Sequence, residues 1–315
     1  MRRVFQLLVI GLMCSVTLSA FGQTWRSIES LGISVSNQSF PGDYDLDLYT
    51  DLNGNHLIIR TDSAIEYYLF SYDGTQIRSV TIASSLTEED YLDNRLAKVT
   101  GWNGKVYIVY IEGGYLRAKK SINAGQSWST LSTLEMNEDL SNGLQVWSDE
   151  NGVYTVWSEE QSGGTSYESH YALIKHDQTT WSNYKHITDV SGEEGGFPTV
   201  ATSANRVHVA YTPGDDYEEY MNFGELTIRE KVNTSWQSPV GLNKDATNSF
   251  LAVAGNQLHQ FYMSDPTPTN ISYVLHHTYR STRGSAWSTP VEFEYMDPTY
   301  NPIDVTVTDN DEVHL

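Results

Sequence analysis

Two acidic, tyrosine-bearing segments are where side-chain chemistry concentrates in this chain. One is Asp215-Asp216-Tyr217-Glu218-Glu219-Tyr220, and the other is Glu159-Glu160 with Tyr167 close behind. Carboxylates accept hydrogen bonds from sugar hydroxyls or ligate a cation, and a Tyr ring stacks on the apolar face of a sugar. Glycoside hydrolysis also needs two carboxyls flanking one bond. Arg60 and Arg95 are the cations placed to offset part of this charge. The ligand-binding set expected from sequence is therefore Asp215, Asp216, Tyr217, Glu218, Glu219, Glu159, Glu160, Tyr167, Arg95 and Arg60, with no catalytic residue assigned. The chain carries 40 Asp and Glu against 19 Lys and Arg, so carboxylate pairs also arise by chance. A solvated acidic loop is the plain alternative.

Other chemistries find less support. His208, His259 and His314 occupy one repeated position that Tyr107 and Tyr154 fill elsewhere, which marks a packing slot and not a metal cluster. His276 and His277 are adjacent and fall on opposite faces of a strand. Asp43, Asp45, Asp47 and Asp51 alternate with Tyr44, Leu46 and Leu48, the pattern of a strand and not of a calcium loop. No cofactor is expected, and calcium is the ion that the acidic loops could hold. The single cysteine, Cys14, lies in the first 22 residues, so residues 23–315 have no thiol or disulfide.

The elements that must position these groups repeat. Trp128, Trp181, Trp236 and Trp287 stand 53, 55 and 51 residues apart, and Trp25 lies 103 residues before Trp128. Turn signals recur in phase at Asn53-Gly54, Asn103-Gly104, Asn151-Gly152, Ala204-Asn205, Gly255-Asn256 and Asn310-Asp311. An alternating strand follows each of the first five, as in Val106-Tyr-Ile-Val-Tyr110. Asn-Gly between such runs predicts a tight hairpin in which both turn residues take positive φ. A period near 50 residues with several strands per unit predicts a propeller. The expected fold is all-β, a six-bladed β-propeller of four-stranded antiparallel blades, with blade six incomplete. Its closing strand is expected around Trp25, and the chain is expected to be a fragment of a longer protein.

The octapeptide Ser121-Ile122-Asn123-Ala124-Gly125-Gln126-Ser127-Trp128 resembles the Asp-box, or BNR, repeat of the sialidase superfamily, with Asn at the usual Asp. The resemblance spans 23–315 through one good copy and weaker ones. It implies that Ser121, Asn123, Gly125 and Trp128 are structural: a turn between the third and fourth strands of a blade, with the Trp packed between blades. It also implies that ligands bind on the opposite face. Sialidases grip a carboxylate with three arginines, the first in an Arg-Ile-Pro motif, and this chain has no such motif. Arg60 and Arg95 alone do not make a triad.

Residues 1–22 read as a secretory signal peptide. Arg2 and Arg3 precede an apolar run from Leu7 to Leu18, and Ala20 and Gly22 supply small residues at −3 and −1 of a cleavage site before Gln23. The protein is expected to be secreted and monomeric, with no transmembrane segment. Its net charge of −21 argues against nucleic acid as a partner. The expected function is a noncatalytic module that binds an extracellular glycan or protein. The alternative is a glycoside hydrolase, exo-sialidase-like, acting on extracellular glycans.

Overall fold

The computed structural model describes residues 45–314 except 62, 87–96, 137–140, 161–166, 189–195, 213–223, 247–248, 265–272, 285, 297–304 and 308–312. The expected signal peptide, Trp25, Arg95 and the segment Asp215 to Glu219 lie outside the described residues.

Every regular element among the described residues is a strand. Sheet one runs β1 (Asp45–Asp51), β2 (Gly54–Arg60), β3 (Ala64–Phe70) and β4 (Gln76–Ser84). Sheet two is β5 (Ala97–Trp102), β6 (Lys105–Glu112), β7 (Tyr115–Ser121) and an outer strand in two pieces, β8 (Ser129–Thr130) and β9 (Leu134–Glu135). Sheet three is β10 (Ser141–Asp149), β11 (Gly152–Glu160), β12 (Tyr167–Lys175) and β13 (Ser182–His186). Sheet four is β14 (Gly196–Ser203), β15 (Arg206–Thr212), β16 (Gly224–Val232), β17 (Ser235–Trp236) and β18 (Val240–Ala246). Sheet five is β19 (Ser249–Ala254), β20 (Gln257–Ser264), β21 (Tyr273–Ser281) and β22 (Val291–Met296). A ribbon, β23 (Thr306–Val307) with β24 (Val313–His314), follows. All the pairings are antiparallel meanders.

The sheets stand as blades. The first strand of each touches the first strand of the next, in the order β1, β5, β10, β14, β19, β23. The cores lie between successive sheets. In β6, Val106, Ile108 and Tyr110 pack toward sheet one, while Tyr107, Val109 and Ile111 pack toward sheet three. Side chains alternate across a strand, so a strand sandwiched on both faces must be apolar at every position, which is how Val106–Ile111 reads. This is β-propeller architecture. The expected sixth blade is not supported, because past sheet five the described residues form only the two-residue strands of the ribbon.

Each of the five sheets joins its first two strands through a two-residue loop, as the turn signals predict. The cross-strand pairs Asp51↔Gly54, Trp102↔Lys105, Asp149↔Gly152, Ser203↔Arg206 and Ala254↔Gln257 close them. Positive φ at both loop residues holds at Asn103 (50°) and Gly104 (74°). Elsewhere the expectation is corrected. Gly54 and Gly152 fall one position later, as the first residues of β2 and β11. Their loops are organised by an aspartate: Asn53 N–H donates to Asp51 Oδ1 and Asn151 N–H to Asp149 Oδ1, both at 2.7 Å.

The turn after β7 is built from its own side chains. Ser121 Oγ accepts the Gly125 N–H at 2.8 Å, and Asn123 Oδ1 accepts the Ser127 N–H at 2.9 Å. Gly125 sits at φ 77°, and a Cβ there would run into the Tyr67 ring. Trp128 packs edge-on against Tyr67 of sheet one, 5.0 Å between centroids. It is partly buried, and the later tryptophans repeat the relation to the preceding sheet: Trp181 meets the core of sheets two and three, and Trp236 meets Tyr171. Trp128→Ala is expected to cost about 2 kcal/mol, below the roughly 3–5 kcal/mol of a fully buried Trp. A urea titration that leaves the midpoint unchanged would contradict this packing role.

A polar clamp joins sheets four and five at the end that carries the two-residue loops. Glu230 of β16 accepts from Arg206 Nη1 at 2.8 Å, from His208 Nδ1 at 2.7 Å and from Arg280 of β21. Ser203 Oγ completes it, 2.8 Å from His208 Nε2.

Candidate functional site

The densest set of chemically capable side chains among the described residues lies at the opposite end of sheet three. It is drawn from three strands by register. Trp157 faces His170 and Glu159 faces Glu168 across β11 and β12, and His170 faces His186 across β12 and β13. Residues two apart share a face, so Trp157, Glu159, Glu168, His170 and His186 all project to one side. Tyr184, two residues before His186 in β13, lies on the same side.

The centre of the set is buried and its rim is open. Trp157, Glu159 and His170 are 0%, 3% and 1% exposed, whereas the Glu168 and His186 side chains are 26% and 34% exposed. The Trp157 indole N–H donates to Glu159 Oε1 at 2.7 Å. His170 stacks on Trp157, 5.5 Å between centroids and 17° between planes. Its Nδ1 lies 2.9 Å from the Tyr184 hydroxyl. Its Nε2 is 3.8 Å from Glu159 Oε2, and it is buried with no hydrogen-bond partner among the described residues. His186 packs edge-on against His170 at 4.2 Å, and its Nε2 meets Glu168 Oε2 at 2.9 Å. Burial first, and the neighbouring His186 second, hold the His170 pKa down at about 3. The ring is therefore neutral at physiological pH, with a lone pair to offer.

The arrangement can do two things. Glu159 and Glu168 are directly opposite on an antiparallel pair, which places their Cβ atoms about 4.5–5.5 Å apart. Two carboxyls paired beside aromatic rings are the residue types that glycoside hydrolysis uses, with Glu168 the one nearer solvent. Glu168, His170 and His186 also each present one ligand atom within 4.8 Å of the others, a geometry that can hold a metal ion.

The expected ligand set is only partly assembled. Glu159 and Glu160 end β11 and Tyr167 starts β12, so they belong to strands where sequence suggested a loop. Glu159 turns inward and its carboxylate joins the cluster. Arg60 is 4% exposed and donates to the Ile111 carbonyl of sheet two at 2.5 Å. It bridges two sheets there and does not join Glu159. Trp157, Glu168, His170, Tyr184 and His186 escaped the sequence reading. Glu168-x-His170 in an alternating run signals two polar groups on one strand face, but nothing in the sequence says that His186 comes to lie beside them.

No protein-family model matches the chain, and no curated protein matches it. Solved structures do. A mutant of AofleA from Arthrobotrys oligospora aligns at TM-score 0.53 and 10% identity, over 86% of this chain and 78% of that one. The α-L-arabinanase of Penicillium chrysogenum, complexed with arabinobiose, aligns at TM-score 0.48 and 10% identity, over 78% of this chain and 82% of that one. The endo-arabinase of Bacteroides thetaiotaomicron aligns at TM-score 0.41 and 12% identity, over 77% of this chain and 94% of that one. The expectation of a noncatalytic binding module finds no support among these structures, several of which are glycoside hydrolases. At such identities the likeness shows the fold alone, and that fold is the all-β propeller.

Proposed function

We propose that this protein is a glycoside hydrolase acting on an extracellular glycan, with Glu159 and Glu168 as its two carboxyls. The observation that carries the reading is their cross-strand pairing on one sheet face beside Trp157, His170 and Tyr184. Glu168 is open to solvent and to an incoming sugar, and Tyr184, 45% exposed, offers a stacking ring at the rim. Glu159 is held by the indole N–H behind it. Glu159 is thus the buried carboxyl, backed by an indole, and Glu168 the more open one on the next strand. The secretory signal expected over residues 1–22 would put the substrate outside the cell. The likeness of the 121–128 turn to an Asp-box belongs to this reading as scaffold, and the reaction is not a sialidase's.

The test is an assay of the purified protein on aryl glycosides and on arabino-, galacto- and xylo-oligosaccharides. Glu159→Gln and Glu168→Gln should each lower kcat by about a hundredfold or more, the range of a lost general acid or base. Turnover that survives both substitutions would place the chemistry elsewhere. No turnover on the panel by folded protein would sink the proposal.

A further inference from the structure

We infer that Glu168, His170 and His186 form a binding site for one divalent transition-metal ion of the zinc class, on the rim of the site proposed for hydrolysis. Three features support it. One ligand atom from each residue lies within 4.8 Å of the other two. His170 is 1% exposed, and its Nε2 makes no hydrogen bond among the described residues, although an unpaired buried nitrogen is costly. Its other ring nitrogen faces the Tyr184 hydroxyl at 2.9 Å. With Nδ1–H donated to that oxygen, the lone pair sits on Nε2, and the hydroxyl holds the ring in the tautomer and orientation that a metal-bound histidine needs.

The donor set selects the ion. Two imidazoles and one carboxylate suit zinc and its neighbours, whereas calcium and magnesium require a shell of oxygens. Zinc–nitrogen bonds of about 2.0–2.1 Å bring ligand atoms to roughly 3.4 Å from one another in a tetrahedron. The adjustment needed falls on Glu168 and His186, whose side chains are 26% and 34% exposed at the rim. Their present 2.9 Å contact is the hydrogen bond that the ion would replace. Three protein ligands leave one position open, and because Glu168 cannot be a zinc ligand and a hydrolytic carboxyl at once, a bound ion is expected to inhibit the proposed turnover. Only that last expectation rests on the hydrolase reading, since metal binding itself does not need it.

The experiment is calorimetric titration of untagged, chelator-dialysed protein with zinc chloride at pH 7.5. One equivalent per chain is expected, with micromolar or tighter Kd and a raised Tm, while calcium and magnesium give no heat. Glu168→Gln and His186→Ala, both at the rim, should each weaken zinc binding at least tenfold while the circular dichroism spectrum is kept. Tyr184→Phe, which removes the partner of His170 Nδ1, should weaken it about tenfold. No zinc binding by the wild type, or an affinity unchanged in both Glu168→Gln and His186→Ala, overturns the inference. Zinc binding without glycoside turnover leaves the metal site standing and removes the hydrolase reading. Turnover insensitive to chelation with no zinc heat does the reverse.

Discussion

Glu230→Gln is expected to lower the unfolding free energy by about 4 kcal/mol, the cost of breaking a largely buried ion pair from one side. Glu230 stands between sheets four and five, and its side chain is 17% exposed. It accepts from Arg206, from His208 and from Arg280, whose side chain is 6% exposed. Arg280 also lies over the Trp287 ring at 5.0 Å, so the clamp ties the inter-sheet core to the β16–β21 contact. An amide keeps the shape and removes the charge, leaving the Arg280 guanidinium without its counter-ion. Burial alone would raise the Glu230 pKa, but the hydrogen bonds and charges of His208 and Arg280 outweigh it and bring it to about 2. Burial also lowers the His208 pKa, against the pull of Glu230. At neutral pH that ring is uncharged and serves as an N–H donor, and the arginines supply the positive charge.

The pH dependence of this clamp has a definite sign. A glutamate with its folded pKa below the unfolded value of about 4.3 contributes stability that is full above about pH 4.3. That contribution, about 3 kcal/mol, is lost as pH falls towards 2. The stability difference between wild type and Glu230→Gln should therefore be constant from pH 7 to 5 and shrink below that. Urea midpoints measured across this range decide the matter. A difference that grows in acid, or one below 1 kcal/mol at pH 7, would remove the clamp as a source of stability.

Gly54→Ala and Gly152→Ala are each expected to cost about 3 kcal/mol, and Gly104→Ala distinctly less. All three belong to Asn-Gly pairs, so sequence alone ranks them equally. Their surroundings differ. A Cβ on Gly54 would strike the Phe70 carbonyl oxygen of β3, and one on Gly152 the Ile174 carbonyl oxygen of β12. Both obstacles are backbone in a formed sheet, so relief requires the strands to part, an overpacking cost of up to roughly 3 kcal/mol. Gly54 adds a φ of 132° that other residues rarely adopt. At Gly104 the nearest atom is the Asn53 amide nitrogen at 3.9 Å, and only the left-handed backbone at φ 74° opposes a side chain, at about 1–2 kcal/mol. Thermal denaturation of the three variants side by side tests the order. Equal losses would show that turn conformation, and not strand proximity, governs these glycines.

Much of the scaffold is local and was legible. Alternation in Val106–Ile111, the spacing of the turn signals and the tryptophan period specify meandering sheets that stack on both faces, because side-chain direction in a strand depends only on sequence parity. Asp45, Asp47 and Asp51 were readable as strand for the same reason. The number of blades was not, since a period describes the unit and not how many units close a ring. Turn geometry was partly legible: each loop has two residues, but whether the glycine sits in the loop, as Gly104 does, or beside a neighbouring carbonyl, as Gly54 does, depends on a strand about fifteen residues away.

The candidate site belongs to the tertiary structure. The sequence brought Glu159 forward as a loop acid beside Arg60. Register turned Glu159 inward, buried Arg60 against the Ile111 carbonyl and set Glu168, His170 and His186 on one face. Pairing across β11, β12 and β13 is a relation among residues up to 27 apart in sequence, and a one-residue slip would send the set to opposite faces. The sequence by itself determined that this chain forms twisted antiparallel sheets in series, because strand and turn propensities act over a few residues. Only the folded sheet decided which of its many acids and histidines meet, because that choice is made by hydrogen-bond register and by the packing of one sheet on the next.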